Sequence, residues 1–240
     1  MGVVAFLFGL IIGSFLNVCI YRIPRKESIA FPSSHCTFCH TPLKTRDLFP
    51  IISFIVRKGR CGYCKTKISF RYPLIEFLTG LLFYMIFRIT GISYELGFYL
   101  FYVSLLLVIG WIDYDHQIIP DFLVLTMGVG GLGYRFISSF LNFTWEPWLE
   151  GGLGIVLGGG FFLLLALLSK GGIGGGDIKL MAVLGLWLGY RNILAALFFT
   201  FLIGGLFSVF LLLLKKKRRK DRIPFGPFLC LGGGIGFSSS

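Results

Sequence analysis

Long apolar stretches separated by short polar breaks run through almost the whole chain. Windows near residues 3–21, 74–90, 97–113, 121–141, 150–168, 178–190, 193–214 and 223–237 approach the length a helix needs to cross a bilayer, roughly 20 apolar residues. The pattern predicts an all-α polytopic membrane protein with about eight transmembrane helices. The sixth and eighth windows are short. The eighth opens at Pro224 and carries Gly226, Pro227 and Gly232 to Gly234, so it is expected to be bent or partly unwound. No basic segment precedes the first window and no small-residue cleavage site follows it, so residues 3–21 are expected to be a retained span rather than a cleaved signal. Residues 22–73 interrupt the pattern with a polar, cysteine-bearing loop. Residues 1–73, the first helix plus this loop, are therefore expected to form one part of the protein, and residues 74–240 the membrane core.

Composition agrees, with 55% hydrophobic and only 14% charged residues, against about 25% charged in soluble domains. The net charge of +12 suggests nucleic acid until its placement is considered. Lys and Arg crowd residues 22–71, against only Glu27 and Asp47, and again residues 215–222, against Asp221. Such blocks mark cytoplasmic loops of a membrane protein and not a nucleic-acid surface. The KKKRRK run at 215–220 also suits anionic lipid headgroups. With both blocks in the cytoplasm, the N-terminus is expected outside. The loops near Ser93, 142–150 and Arg191 then face outward, with Arg88, Arg135 and Arg191 as mild exceptions to the charge rule. The same parity puts Asp113 and Asp177 at one face, the cytoplasmic one.

Cys36-Thr-Phe-Cys39 and Cys61-Gly-Tyr-Cys64 are two CxxC pairs spaced as in a four-thiolate zinc ribbon or knuckle. Such a closed site is structural and would staple a loop too small for a large core. Disulfides, free thiols or a redox pair are the alternatives; a reducing compartment disfavours the disulfides and keeps the thiols available to metal. His35 and His40 flank a site that four cysteines already fill. Cys19 and Cys230 lie in apolar windows and read as small hydrophobes.

Carboxylates at the ends of apolar segments are costly and point to function. One follows the glycine-dense run Gly171-Gly172-Ile173-Gly174-Gly175-Gly176, as Asp177. A phosphate-binding loop is strongly disfavoured there because no Lys-Ser/Thr pair follows; Lys179 reads as an edge charge able to bias a nearby acid. The other motif, WIDYDHQIIPD at 111–121, offers Asp113, Asp115 and Asp121. Asp121 follows Pro120 and equally suits the first turn of a helix; Asp115 equally suits a solvated turn. Asp113 lies deepest, directly after Trp111-Ile112. Two carboxylates sharing one proton would hydrolyse a peptide bond, one activating water and the other polarising the carbonyl. Two other readings remain open: a transporter whose acids carry protons or cations, and a non-catalytic assembly factor docking through its cysteine loop.

GSFLNVCIYRIP at 13–24, the double CxxC, RYPLIEF at 71–77, DYDHQIIPD at 113–121, GGGDIKL at 174–180 and IPFGPFLCLG at 223–232 together resemble the type IV prepilin peptidases, which are GxGD-type membrane aspartic proteases. The resemblance implies catalytic aspartates at Asp113 and Asp177, and cleavage of the basic leader from prepilins or pseudopilins at the cytoplasmic face of the inner membrane. It further implies N-methylation of the new N-terminus with S-adenosylmethionine by the part that includes residues 1–73, and pilus or secretion machinery as further partners; structural zinc on Cys36, Cys39, Cys61 and Cys64 rests on the CxxC spacing. Glu76, within RYPLIEF, becomes a candidate for the methyl-donor region; its plainer role would be an ion pair with Arg71 or Arg22. Asp113, Asp115, Asp121, Asp177 and Glu76 would form an acidic patch that draws a basic leader inward.

Overall fold

The computed structural model describes residues 1–169, 172–213 and 226–238, with side chains described outside 211–213 and 235–238. The basic run at 215–222, Gly171 and the head of the eighth window at 223–225 lie outside the described residues. The helices are α1 (Gly2–Arg22), a short α2 (Ile52–Val56), α3 (Arg71–Thr90), α4 (Tyr94–His116), α5 (Asp121–Asn142), α6 (Glu146–Leu168), α7 (Gly175–Leu213) and α8 (Gly226–Ser238). Among the described residues β-structure is limited to two isolated bridges, His35 with Pro42 and Arg60 with Lys67.

The expected eight spans take a different form. Among the described residues six helices are long and apolar enough to cross a membrane: α1 extended to Arg25, α3, α4, α5, α6 and, within α7, Gly175–Phe210. The expected sixth and seventh spans are the two arms of α7, which meet at Gly189 (φ 73°, ψ 175°), a backbone conformation that suits glycine. Contacts with α6 give the direction of the arms. Gly154 lies against Gly185 and Gly189, Gly158 against Met181 and Ile193, and Phe162 against Phe201. Moving up α6 therefore means moving down the first arm and up the second, so the arms are antiparallel. The expected eighth span is α8, described over 13 residues. It runs antiparallel to the second arm, with Phe228 against Phe207 and Gly232 against Ala196 and Thr200.

The sharp turn at Gly189 leaves carbonyls of the first arm without their usual partners one helical turn onward. Arg135, on α5, supplies the missing donors: its Nε donates to Leu186 O at 2.8 Å, its Nη2 to Trp187 O at 3.0 Å, and its Nη1 pairs with Glu150 at 3.2 Å. Trp187 Nε1 in turn donates to Met127 O at 2.9 Å. Arg135 is buried, so it is not the outward-loop cation the charge pattern suggested.

Chain contacts divide the protein into two compact units, Met1–Val108 and Ile109–Ser240. In the first, α1 and α3 pack backbone to backbone. A Cβ added at Gly9 or Gly13 would come within 2.7 Å of Gly80 Cα or Glu76 Cα, an approach only small residues permit. Buried Asn17 ties the helices by donating to Tyr72 O at 3.2 Å. Phe83, Ile86 and Val103 form the adjoining apolar core. In the second unit, α6 meets the first arm of α7 so closely at Gly154 and Gly185 that a Cβ on either would land on the carbonyl oxygen of the other.

Candidate functional site

The four CxxC cysteines form a single cluster whose sulfurs all lie within 4.8 Å of one another. Cys36 Sγ and Cys64 Sγ are 3.8 Å apart, the separation that tetrahedral coordination with Zn–S bonds of about 2.3 Å requires. All four thiols are free. The two half-sites are copies of one fold. Cys36 N–H donates to Thr41 O and His40 N–H to Cys36 O; Cys61 N–H donates to Thr66 O and Lys65 N–H to Cys61 O. His40 and Lys65 occupy the matching left-handed positions, φ 55° and 62°. Thr41 and Thr66 hydrogen bond to Cys39 and Cys64, both at 3.3 Å. The Thr66 hydroxyl brings the Cys64 thiol down to about 6, and Thr41 lowers Cys39, whereas burial pushes Cys36 up to about 11. Hydroxyls that stabilise thiolates prepare a site for a metal. The two threonines escaped the sequence reading, although the repeat C-x-x-C-x-T at 36–41 and 61–66 was there to be seen.

The same loop carries its own polar frame. Asp47, with its side chain almost fully hidden, pairs with Arg57 and accepts from Tyr63 Oη and Lys44 N–H, both at 3.0 Å. Burial opposes its charge, but these partners outweigh burial and hold the carboxyl below the usual range.

Glu76 is buried on α3. Its Oε2 accepts the N–H of Ile51 at 2.7 Å, and the Ser14 side chain also bonds to it. The ion pair with Arg22 considered for it is not made: Arg22 donates instead to the carbonyls of Ser28 and Pro32 at 2.9 and 2.8 Å. Beside Glu76 opens a cavity of about 450 Å³ lined by residues of α1, α3 and the cysteine loop.

Asp113 and Asp177 come from different helices of the second unit. Asp113 lies near the end of α4 and is 5% exposed; Asp177 occupies the first turn of α7 and is half-buried. They are near enough that the charge of Asp113 acts on Asp177. The Gly226 N–H, at the start of α8, donates to Asp113 Oδ2 at 2.8 Å. Asp177 N–H closes a turn onto Gly174 O at 3.1 Å. Ile119, in the loop after α4, lies so close to Gly176 that a Cβ there would meet it at 3.0 Å. The remaining acids of the first motif lie at the surface. Asp115 is exposed, and Asp121, also exposed, pairs with Lys179 at 2.8 Å.

A multi-pass helical membrane protein in which two helix ends bring carboxylates together, with a four-cysteine loop in its other unit, is the class these features define. Residues 7–89 match the family model of the bacterial peptidase A24 N-terminal domain, and residues 100–209 that of the type IV leader peptidase family. The chain belongs to the type IV leader peptidase family. It is 36% identical to the prepilin leader peptidase/N-methyltransferase of Bacillus subtilis (strain 168), covering 98% of this chain and 92% of that one. It is 33% identical to the protein of that name from Neisseria gonorrhoeae (98% and 90%) and 32% to that from Aeromonas salmonicida (strain A449) (96% and 88%). No solved structure matches it.

Proposed function

We propose that the protein is a membrane-embedded aspartic endopeptidase that removes the basic leader from type IV prepilins or pseudopilins and N-methylates the new N-terminus. The observation that carries the peptidase half is the convergence of Asp113 and Asp177 from separate helices, with the Asp113 carboxylate held by the Gly226 N–H. Two like charges that close do not both ionise readily, so one proton is shared between them. The ionised partner takes a proton from the attacking water, and the protonated one donates toward the scissile carbonyl oxygen. The amine leaves with the proton returned to it. The close approach of Ile119 to Gly176 fixes the α4–α5 loop against the Asp177 turn, and so supports the alignment of the two acids.

Methyl transfer falls to the part that includes residues 1–73, with Glu76 at its edge. S-adenosylmethionine supplies an electrophilic methyl carbon there. Cys36, Cys39, Cys61 and Cys64 hold structural zinc, with no open position for catalysis. The protein resides in the inner membrane, N-terminus outside, with the cysteine loop and the carboxylate pair on the cytoplasmic side. The placement of basic residues supports this orientation.

The test is co-expression of a prepilin with wild-type, Asp113→Asn and Asp177→Asn protein, reading the pilin N-terminus by mass spectrometry. Wild-type yields a shortened, methylated product; each substitution leaves the leader attached. Cleavage by both variants would refute the carboxylate pair and reopen the transporter and assembly readings.

A further inference from the structure

We propose that the cavity beside Glu76 is the methyl-donor site, and that it takes a sulfonium nucleoside against a wall built by the cysteine loop. The inference rests on the methyltransferase half of the reading above and deepens it, by giving that activity a place and a set of residues.

The cavity has the size for such a ligand. Its volume of about 450 Å³ lies within the roughly 300–1,000 Å³ common for small-molecule sites. A sulfonium nucleoside has a flat ring, a fixed positive charge and a zwitterionic tail. Flat apolar rings bind aromatic faces, and a sulfonium, like any cation, is favoured by a carboxylate or a ring face. The lining offers both, in Phe54, Tyr72 and Glu76.

Glu76 is placed for this work. A carboxylate offers about four acceptor positions, of which Ile51 N–H and Ser14 occupy two. The second acid of the lining, Asp47, is committed to Arg57, Tyr63 and Lys44. Glu76 is thus the acid with capacity left for a cation.

The backbone next to Glu76 is strained in a way that shapes this wall. Ile51 holds φ 59° and ψ −48°, a conformation costly for a β-branched residue. Strain of this kind persists where the surroundings enforce it, commonly at ligand sites. Here a γ-turn closed by Ile52 N–H onto Pro50 O sets the conformation and turns Ile51 N–H onto Glu76. Beyond this turn, α2 sets Ser53 and Phe54 on the cavity wall. Cys36 and Cys61, one from each CxxC pair, also line the cavity. The metal cluster and the donor wall are therefore one piece of structure, which gives a closed structural metal site a purpose in the second activity.

In the transfer, the lone pair of the neutral pilin amine forms a bond to the methyl carbon. The carbon–sulfur bond breaks, its electrons return to sulfur, and the methylated amine sheds a proton to water. The donor leaves as S-adenosylhomocysteine, which makes that product a stable probe of the site.

Full-length protein in detergent, wild-type and with Glu76→Gln or Ser53→Trp, is titrated with S-adenosylhomocysteine by calorimetry. In parallel, S-adenosylmethionine labelled in its methyl group is photocrosslinked and the labelled peptides are mapped. Wild-type is expected to bind and to carry the label within residues 14–76. Glu76→Gln, which keeps the shape and removes the charge, should weaken binding at least about tenfold, as losing a charged partner does. Ser53→Trp should weaken it comparably by filling the cavity. Thermal melting identifies a variant that has merely unfolded, and the crosslink map on wild-type stands without any variant. Methylated product together with label outside residues 14–76, or unchanged affinity in both folded variants, would overturn the assignment and leave the methyltransferase reading intact. Failure of wild-type both to bind and to methylate would remove that reading, and this inference with it.

Discussion

Gly226 N–H donates to Asp113 Oδ2 at 2.8 Å, joining residues 113 positions apart in the chain. The contact fixes the carboxylate by a backbone group that has no freedom of its own. It also explains the glycine: a Cβ at 226 would come 2.6 Å from Oδ2 and 2.8 Å from Cγ. Gly226→Ala should therefore displace the acid without removing it. Leader cleavage should fall about a hundredfold, the usual cost of misplacing a catalytic group by an ångström. The loss should appear in kcat rather than KM, measured on a purified prepilin.

Arg135 should prove important to stability while touching no reacting group. Arg135→Met keeps the stem and removes the donors, stranding Leu186 O and Trp187 O beside the Gly189 turn. A buried acceptor left unsatisfied costs about 1–3 kcal/mol. The melting temperature in detergent should drop by several degrees, and cleavage by the surviving folded fraction should remain near normal.

Removing the metal should separate the two activities at the level of binding. Wild-type protein should carry one zinc per chain by elemental analysis, and Cys36→Ser should carry little. A strong chelator should abolish S-adenosylhomocysteine binding, because Cys36 and Cys61 belong to the cavity wall. Binding that survives complete loss of zinc would detach the loop from the donor site.

Lys179 and Asp121 make an ion pair at 2.8 Å with side chains 57% and 73% exposed. Exposed pairs contribute about 0–1 kcal/mol. Lys179→Ala should leave thermal stability within a degree or two and cleavage within about twofold. A large fall in cleavage would show that Lys179 acts on the carboxylate pair, as its position in the sequence first suggested.

The sequence carried the helical, membrane-spanning architecture because apolar length is a local property. It carried the cysteine cluster because both pairs have metal-ligand spacing. The depth of Asp113 was also legible, since Trp111-Ile112 leads into it while Asp115 and Asp121 lie toward a polar turn. Contacts between distant segments were not. Nothing near Gly226 names Asp113 as its partner. Arg135 looked like a stray cation of an outward loop because its role exists only once Gly189 has bent α7. The break between the two arms of α7 was legible, because Arg191-Asn192 interrupts the apolar run between the sixth and seventh windows, but the contacts that hold the turn were not. Glu76 drew notice only through the RYPLIEF stretch it lies in; that it is buried, with the backbone of Ile51 as its partner, no charge pattern can reveal.

The seam between α6 and α7 inverts a familiar rule of protein engineering. In a water-exposed helix, replacing glycine by alanine gains about 0.5–1 kcal/mol from reduced chain freedom. At Gly154 and Gly185, the added methyl would strike the carbonyl of the facing helix. Lipid tails are as apolar as any side chain, so a larger residue recovers nothing from water that would offset the separation. Attempts to harden this enzyme for study should leave the glycines of this seam untouched and look to positions such as Gly97 or Gly152, where an added Cβ meets nothing within 4 Å.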